Sequence, residues 1–271
     1  MKRSWYAMPY ALWMVMFTLV PLLFVCYYAF TDASGAFTVN NFVKIASPMY
    51  GLVLWDSVRL AFECTVLCLL IGYPTAYFLA SKDLSNSQML LVLILVPMWM
   101  NFLLRTYAMM TLLENNGVIN TILEALGLPR KQMIGTEGAV LLGMVYNFLP
   151  FMVLPIHTVL KKMDTSVIEA AEDLGASPLR VVTRVVLPMS IPGVVSGITM
   201  VFMPAVTTFA ISRMLSSGMI YLVGDMIEDY FIAMNNRNVG SSISLVMMVL
   251  IILSIGFLRK VDPDNQGGGL W

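Results

Sequence analysis

Of 271 residues, 59% are hydrophobic and only 12% charged, with a mean hydropathy of +0.81 and 16 basic residues balanced by 16 acidic ones. Soluble domains carry about a quarter charged residues, so a soluble fold is excluded. The formal net charge of zero says nothing about partners, and there is no basic patch for nucleic acid to bind.

Apolar runs long enough to cross the roughly 30 Å hydrocarbon core recur along the chain, and in lipid such runs must be helices. The expectation is an all-α polytopic membrane protein, a single domain over 1–271 with about six transmembrane helices. The first span, about Met8–Phe30, follows Met1-Lys2-Arg3 but is too long for a signal core and lacks a convincing small-x-small cleavage site, so it is read as retained. The second is about Val58–Ala80, with Glu63 near its outer end. Cys26, Cys64 and Cys68 all fall inside apolar spans and are read as packing residues. The third, about Met89–Leu112, contains Trp99, Asn101, Arg105 and Tyr107. Asn101 and Arg105 stand four apart and share a helix face. An arginine at the bilayer centre costs about 2.5–3.5 kcal/mol on insertion scales, so Arg105 faces protein or water, or snorkels to the outer interface. The fourth, about Ala139–Leu160, holds Tyr146 and Asn147. With Trp99, Asn101 and Tyr107 these are the candidate pathway residues.

A polar island follows, from Ser166 to Pro188. Ser166 and Glu169 have the spacing of a capping box, Gly175 can end that helix in a left-handed conformation, and Ser177-Pro178 can start a second helix that Pro188 ends. The fifth span is about Ile191–Met214 and the sixth about Ser242–Leu258. Between them Leu222, Val223, Met226, Ile227 and Tyr230 form an apolar stripe, with Asp225, Glu228 and Asp229 on the opposite face. These three are candidate outer-mouth acids that would attract cations; a solvated face of a surface helix is the plainer reading.

Pro21, Pro74, Pro97, Pro150 with Pro155, and Pro204 lie inside or near the middle of five spans. Each removes a backbone hydrogen bond and favours a kink, which suits either a moving pathway or static bent packing. With an inner N-terminus, Lys2, Arg3, Lys82, Lys161, Lys162, Arg180, Arg184, Arg259 and Lys260 fall inside. Lys44, Arg59, Arg130, Lys131, Arg213 and Arg237 fall outside. That bias places both termini and the Glu169 loop in the cytoplasm. No phosphate-binding loop, zinc-protease helix, nucleophile elbow or Cys/His metal spacing occurs, so no catalytic or metal site is expected, and His157 is read as capping or packing.

Glu169-Ala170-Ala171, Gly175 and Leu187-Pro188 together resemble the EAA loop of ABC importer permeases, with Val185 where that family often has isoleucine. Gly72-Tyr73-Pro74, the run Pro97–Ala108, Gly117-Val118-Ile119-Asn120 and Val145–Pro155 are similar to the spermidine/putrescine permease family of the PotB/PotH type. Pro192-Gly193 and Val201–Pro204 continue the likeness. It implies a type I ABC importer permease fold and a subunit that imports polyamines across the bacterial cytoplasmic membrane. Four partners are implied: a second homologous permease, a homodimeric ABC ATPase, an extracytoplasmic substrate-binding protein and the lipid membrane. ATP and Mg would sit on the ATPase, with no cofactor on this chain. Glu169, Ala170, Ala171 and Gly175 would form the ATPase-coupling contact. Thr207–Ser212 and Ser216-Ser217-Gly218 depart from the expected pattern, so phosphate, sulfate or iron import remains an alternative cargo reading. An ion-coupled carrier is the rival class.

Overall fold

The computed structural model describes residues 8–80 and 87–261. Among these residues the chain is helical, with one isolated antiparallel bridge between Thr31 and Phe37. In order come α1 (Met8–Met14), α2 (Val20–Ala29), α3 (Asn40–Ile45), α4 (Pro48–Ala80), α5 (Ser87–Trp99), α6 (Phe102–Leu113) and α7 (Val118–Ala125). After them come α8 (Glu137–Lys162), α9 (Thr165–Asp173), α10 (Pro178–Val181), α11 (Leu187–Met189), α12 (Ile191–Val206), α13 (Ala210–Ser216), α14 (Val223–Phe231) and α15 (Arg237–Val261).

The core is built around α8. Thr136 caps it by accepting the Ala139 N–H at 3.2 Å, Glu137 stands in its first turn, and Lys161 and Lys162 stand in its last. These charges complement the helix dipole at both ends. Met144, Met152, Val153 and Ile156 on α8 are fully buried against α4 and α12. The approach of α12 depends on Gly193 and Gly197, a G-x-x-x-G pair that the sequence reading did not use. A Cβ at Gly193 would meet the Ile156 Cα and the Pro155 carbonyl oxygen at 3.0 Å, and one at Gly197 would meet the Met152 Sδ at 2.7 Å. Small residues at this spacing let membrane helices pack backbone to backbone, where van der Waals contact replaces the missing hydrophobic drive.

Among the described residues three helices are singly long and apolar enough to cross a membrane: Met8–Ala29, Glu137–Lys162 and Arg237–Gly256. Two bent pairs, Met89–Trp99 with Phe102–Ala125 and Pro178–Met189 with Ile191–Val206, raise the count to 5. The expected second span lies in α4, whose 33 residues extend about 50 Å. Its first half carries Asp56, Arg59 and Glu63, and Arg59 bonds Glu137 at 2.6 Å and faces Glu63 at 3.6 Å. It is not among those five, although no charge follows from Cys64 to Ala80.

The third expected span is broken. After Pro97 the chain turns by 95° between α5 and α6. Asn101 therefore does not share a helix face with Arg105: it is the N-cap of α6, and its Oδ1 accepts the Leu103 N–H at 2.8 Å and the Leu104 N–H at 3.4 Å. The fifth is interrupted too, with α12 ending at Val206 and α13 starting at Ala210.

Candidate functional site

The polar island folds as the two-helix knob expected of it, with different caps. Asp164, not Ser166, caps α9, its Oδ1 accepting the Ser166 N–H at 3.0 Å. A carboxylate two residues earlier satisfies a free amide and leaves Glu169 mid-helix. Gly175 has φ +80° and closes the helix as expected: its N–H reaches the Glu172 carbonyl at 2.8 Å, and the Ala176 N–H reaches the Ala171 carbonyl at 3.1 Å. This reciprocal pair is a Schellman closure, which a Cβ at Gly175 would strain. Ser177 and Pro178 start α10 as read, the Ser177 side chain making no capping bond.

Pro188 does not end the second helix. A π turn over Val182–Val186 intervenes, with the Leu187 N–H bonded to the Val182 carbonyl, and the helix continues to Met189 before a 64° bend into α12. Widening the turn draws the backbone away from the proline ring, which would otherwise collide with the carbonyl four residues back.

The knob presents opposite faces to core and solvent. Ala171 and Ala176 are half-buried against the core, whereas Glu169, Ala170 and Gly175 are exposed. Leu174 is 89% and Leu179 75% exposed, two of the most exposed aliphatic side chains of the molecule. Between the knob and the ends of α4 and α8 lies an open cleft of about 460 Å³ lined by Tyr77, Phe78, Leu160, Ile168, Glu169 and Glu172.

The three outer acids converge on a residue that the sequence reading left among the outer basic residues. Arg213 on α13 reaches Asp229 at 2.7 Å, Glu228 at 3.0 Å and Asp225 at 3.9 Å. Asp225 is not on the exposed face of α14: it is 2% exposed and on the same side as Leu222, Val223 and Met226. Its Oδ2 accepts the Leu222 N–H at 2.9 Å and the Ser212 hydroxyl at 2.7 Å, so it is a helix cap and an inter-helix tie. Burial raises its carboxyl above the ordinary carboxylate range, against the Leu222 and Ser212 bonds that lower it. The Tyr221 hydroxyl donates to Asp229 at 2.9 Å, and burial together with that carboxylate pushes its phenol up. Three carboxylates against one guanidinium leave the cluster net acidic. Ser57 anchors it to α4 by accepting the Val223 N–H at 2.8 Å, and Tyr50 and Tyr230 are bonded through their hydroxyls. The i, i+3, i+4 spacing found the acids; only the tertiary return of α14 onto α13 reveals Arg213.

The candidate pathway residues divide. Trp99 is 83% exposed, and Asn101, Tyr107 and Tyr146 are also exposed on this chain. Asn147 is 1% exposed and packed inside, its Nδ2 donating to the Gly143 carbonyl at 2.9 Å. Gly143 lies under Ile211 and Leu215 of α13, which shuts Asn147 away from the surface. Among the described residues no group of His, Cys, Asp and Glu is arranged to hold a metal.

Residues 3–266 match the family model described as binding-protein-dependent transport system inner membrane component. The chain belongs to this family. It is a multi-pass permease subunit of the cytoplasmic membrane, as the helical fold and the EAA-like knob indicate. The spermidine/putrescine transport system permease protein PotB of Haemophilus influenzae is 35% identical over 251 residues, spanning 90% of this chain and 88% of that protein. PotB of Escherichia coli K12 is 33% identical over 252 residues, 90% of this chain and 91% of that one. Among solved structures, a bacterial ABC transporter for the acidic polysaccharide alginate superposes with a TM-score of 0.76 at 17% identity, covering 96% of this permease and 97% of that chain. The methionine ABC transporter MetNI superposes at 0.62 with 18% identity, covering 80% and 97%. These two establish the importer-permease fold of the chain.

Proposed function

We propose that this permease imports polyamines, spermidine or putrescine, as one of two homologous transmembrane subunits above a cytoplasmic ATPase dimer and below an extracytoplasmic binding protein. The observation that carries the cargo is the 35% and 33% identity, over 90% of the chain, to permeases named for spermidine and putrescine. The chemistry agrees with it. A protonated polyamine leaving water needs carboxylates and aromatic faces in exchange, because charge-assisted hydrogen bonds and cation–π contacts replace its hydration. The net acidic Asp225–Glu228–Asp229 cluster and the exposed Trp99, Tyr107 and Tyr146 are of that kind.

In this reading both termini and the knob face the cytoplasm, as the basic-residue bias indicates. Leu174, Leu179 and the exposed side of α9, with Glu169 and Ala170, seat in a cleft of the ATPase. Nucleotide-driven closure of the ATPase then moves α9, and the half-buried Ala171 and Ala176 pass that displacement to the core. Hydrolysis belongs to the ATPase, and this chain supplies the passage.

The test is the reconstituted complex. ATP hydrolysis is expected to accelerate with binding protein loaded with spermidine or putrescine, and labelled spermidine to accumulate inside vesicles. Acceleration by a sulfate- or phosphate-loaded binding protein, with none from the polyamine-loaded one, would overturn the cargo while leaving the permease in place.

A further inference from the structure

Ser190 stands where the knob runs into the helical core. Its N–H reaches the carbonyl of Val186, the last residue of the π turn, at 2.9 Å, and its own carbonyl receives the Val194 N–H of α12 at 3.1 Å. The 64° bend between α11 and α12 lies at this residue. Pro192 has no N–H to return to the Pro188 carbonyl, so the helical ladder is thin here and the backbone alone fixes the bend weakly.

Side chains fix it instead. Ser190 is fully buried, and its hydroxyl spends its one hydrogen on the Leu187 carbonyl at 2.9 Å. The oxygen is left to accept, so the Tyr73 hydroxyl of α4 donates to it at 2.9 Å. The level of Tyr73 is set by its neighbour: a Cβ at Gly72 would lie 3.0 Å from the Met152 Cγ, so α4 is pressed onto α8 at this point.

The same helix is bonded at its other end to α14, which carries the acidic cluster. Roughly 24 Å along α4 from Tyr73, Ser57 is buried and accepts the Val223 N–H at 2.8 Å, and Tyr50 bonds Tyr230 beyond it. Between these ties α4 runs unbroken. Coupling between distant sites travels through packed helices and the bonds that join them.

We infer that Tyr73 is a positioning residue of the transport cycle: its hydroxyl holds the bend at Ser190 so that displacement of the knob turns α4 and α12 together, and α4 carries the movement to α14 through Ser57. This rests on the reading of the knob as the ATPase contact. Without the hydroxyl the bend and the adjoining π turn absorb the displacement, and hydrolysis is spent without moving α14.

The experiment uses the complete complex of tagged chain, second permease, ATPase and binding protein, in vesicles and in nanodiscs. Tyr73→Phe keeps the ring and removes only the hydroxyl. Labelled spermidine transported per ATP hydrolysed is expected to fall about fivefold, the size of one net hydrogen bond, with hydrolysis and unfolding temperature at wild-type values. Ser190→Ala should do the same, and the double variant should be no worse than Ser190→Ala alone, as for two ends of one bond. Thr75 bonds within its own helix, to the Ile71 carbonyl at 2.7 Å, so Thr75→Val should leave the ratio unchanged. At the far end the reporter is Ile232→Cys, exposed at the end of α14. Its rate with a water-soluble maleimide is expected to differ several-fold between nucleotide-free and vanadate-trapped complex, and to lose that difference with Tyr73→Phe. This arm needs no cargo, so a complex that ignores polyamines leaves it readable. A wild-type ratio of transport to hydrolysis in Tyr73→Phe overturns the inference, and so does an Ile232→Cys response that is absent or survives without the hydroxyl. A parallel loss of hydrolysis and unfolding temperature would reduce the bond to a fold contact and overturn it too. Normal ATPase binding by Leu174→Ala beside uncoupling by Tyr73→Phe would remove the knob tip as the contact and leave the role of Tyr73 standing.

Discussion

Leu174→Ala isolates the docking role of the knob from its folding. Leu174 stands at the C-cap of α9 and is 89% exposed, so its side chain adds little to the stability of its own chain. If it is buried when the ATPase docks, removing three carbons at about 0.8 kcal/mol each forfeits about 2.4 kcal/mol, roughly 50-fold in the docking equilibrium. Leu126, also exposed but at the end of α7 far along the chain from the knob, is the matched control. The assay is recovery of the ATPase on tagged permease from detergent extracts across a dilution series, with thermal unfolding of each variant alongside. The expected result is loss of ATPase and of polyamine uptake for Leu174→Ala, normal recovery for Leu126→Ala, and unchanged unfolding temperatures. Wild-type ATPase recovery at every dilution with Leu174→Ala would refute the assignment of this tip as the contact. A lowered unfolding temperature would refute the premise that the side chain is idle in the free subunit.

Gly193→Val should destabilise the subunit by about 1–3 kcal/mol, because the Cβ would meet the backbone of α8 rather than a flexible side chain. Gly256→Ala, at a position with open space around it, should be neutral or stabilising by up to about 1 kcal/mol; thermal unfolding of the two variants checks the pair. Asp225→Ala should cost about 1–3 kcal/mol for the Leu222 N–H it strands, while the Ser212 hydroxyl keeps the Phe209 carbonyl at 2.8 Å as an acceptor, read as the denaturation midpoint of the purified complex. Burial raises the Asp225 carboxyl, so the folded state holds its proton at pH values where the unfolded chain has released it. The contribution of this site is therefore fully present below the ordinary value of 3.8 and falls as pH rises towards the raised native value. Asp225→Asn should flatten that part of the stability–pH curve, and an unchanged slope would count against burial as the cause.

Much of the site was legible because its signals are local. The knob is written in a short segment: a glycine that must take φ +80°, a Ser-Pro start and small residues on one face of a short helix. Its N-cap was misplaced by two residues because Asp164 and Ser166 are both good caps, and only the backbone geometry decides between them. The acidic cluster was half legible. Periodicity put Asp225, Glu228 and Asp229 together, but a carboxylate that turns inward to cap its own helix breaks the rule that charge faces out. Arg213 stands 12 residues before Asp225, and nothing local announces that α14 folds back across α13. Gly193 and Gly197 were legible in principle, since their spacing alone marks a close helix crossing, but the prolines drew attention to bending instead.

The prolines themselves argue that bending in this fold is set by what surrounds a proline rather than by its presence. Pro150 and Pro155 lie inside α8, and Pro74 inside α4, yet both helices run on without interruption. Pro150 is buried, Pro155 half-buried and Pro74 exposed, so what holds the two helix axes straight is the packing of α4 and α8 on each other and on α12. Pro21 and Pro188 share another solution. In both, a π turn ends two residues before the proline, at Val15–Leu19 and Val182–Val186, and the residue preceding the proline bonds five positions back. A π turn exchanges a steric clash for a wider, weaker ring of hydrogen bonds, so these are compliant points in otherwise regular helices. One lies in the exposed first helix and the other between the knob and α12, ahead of the 64° bend. An unbroken α8 packed between α4 and α12, beside a compliant joint at Val182–Val186, is the arrangement a coupling element requires. In the coupling we propose, displacement of α9 and α10 is taken up at the joint, and what remains reaches α12 through the Gly193–Gly197 crossing onto α8.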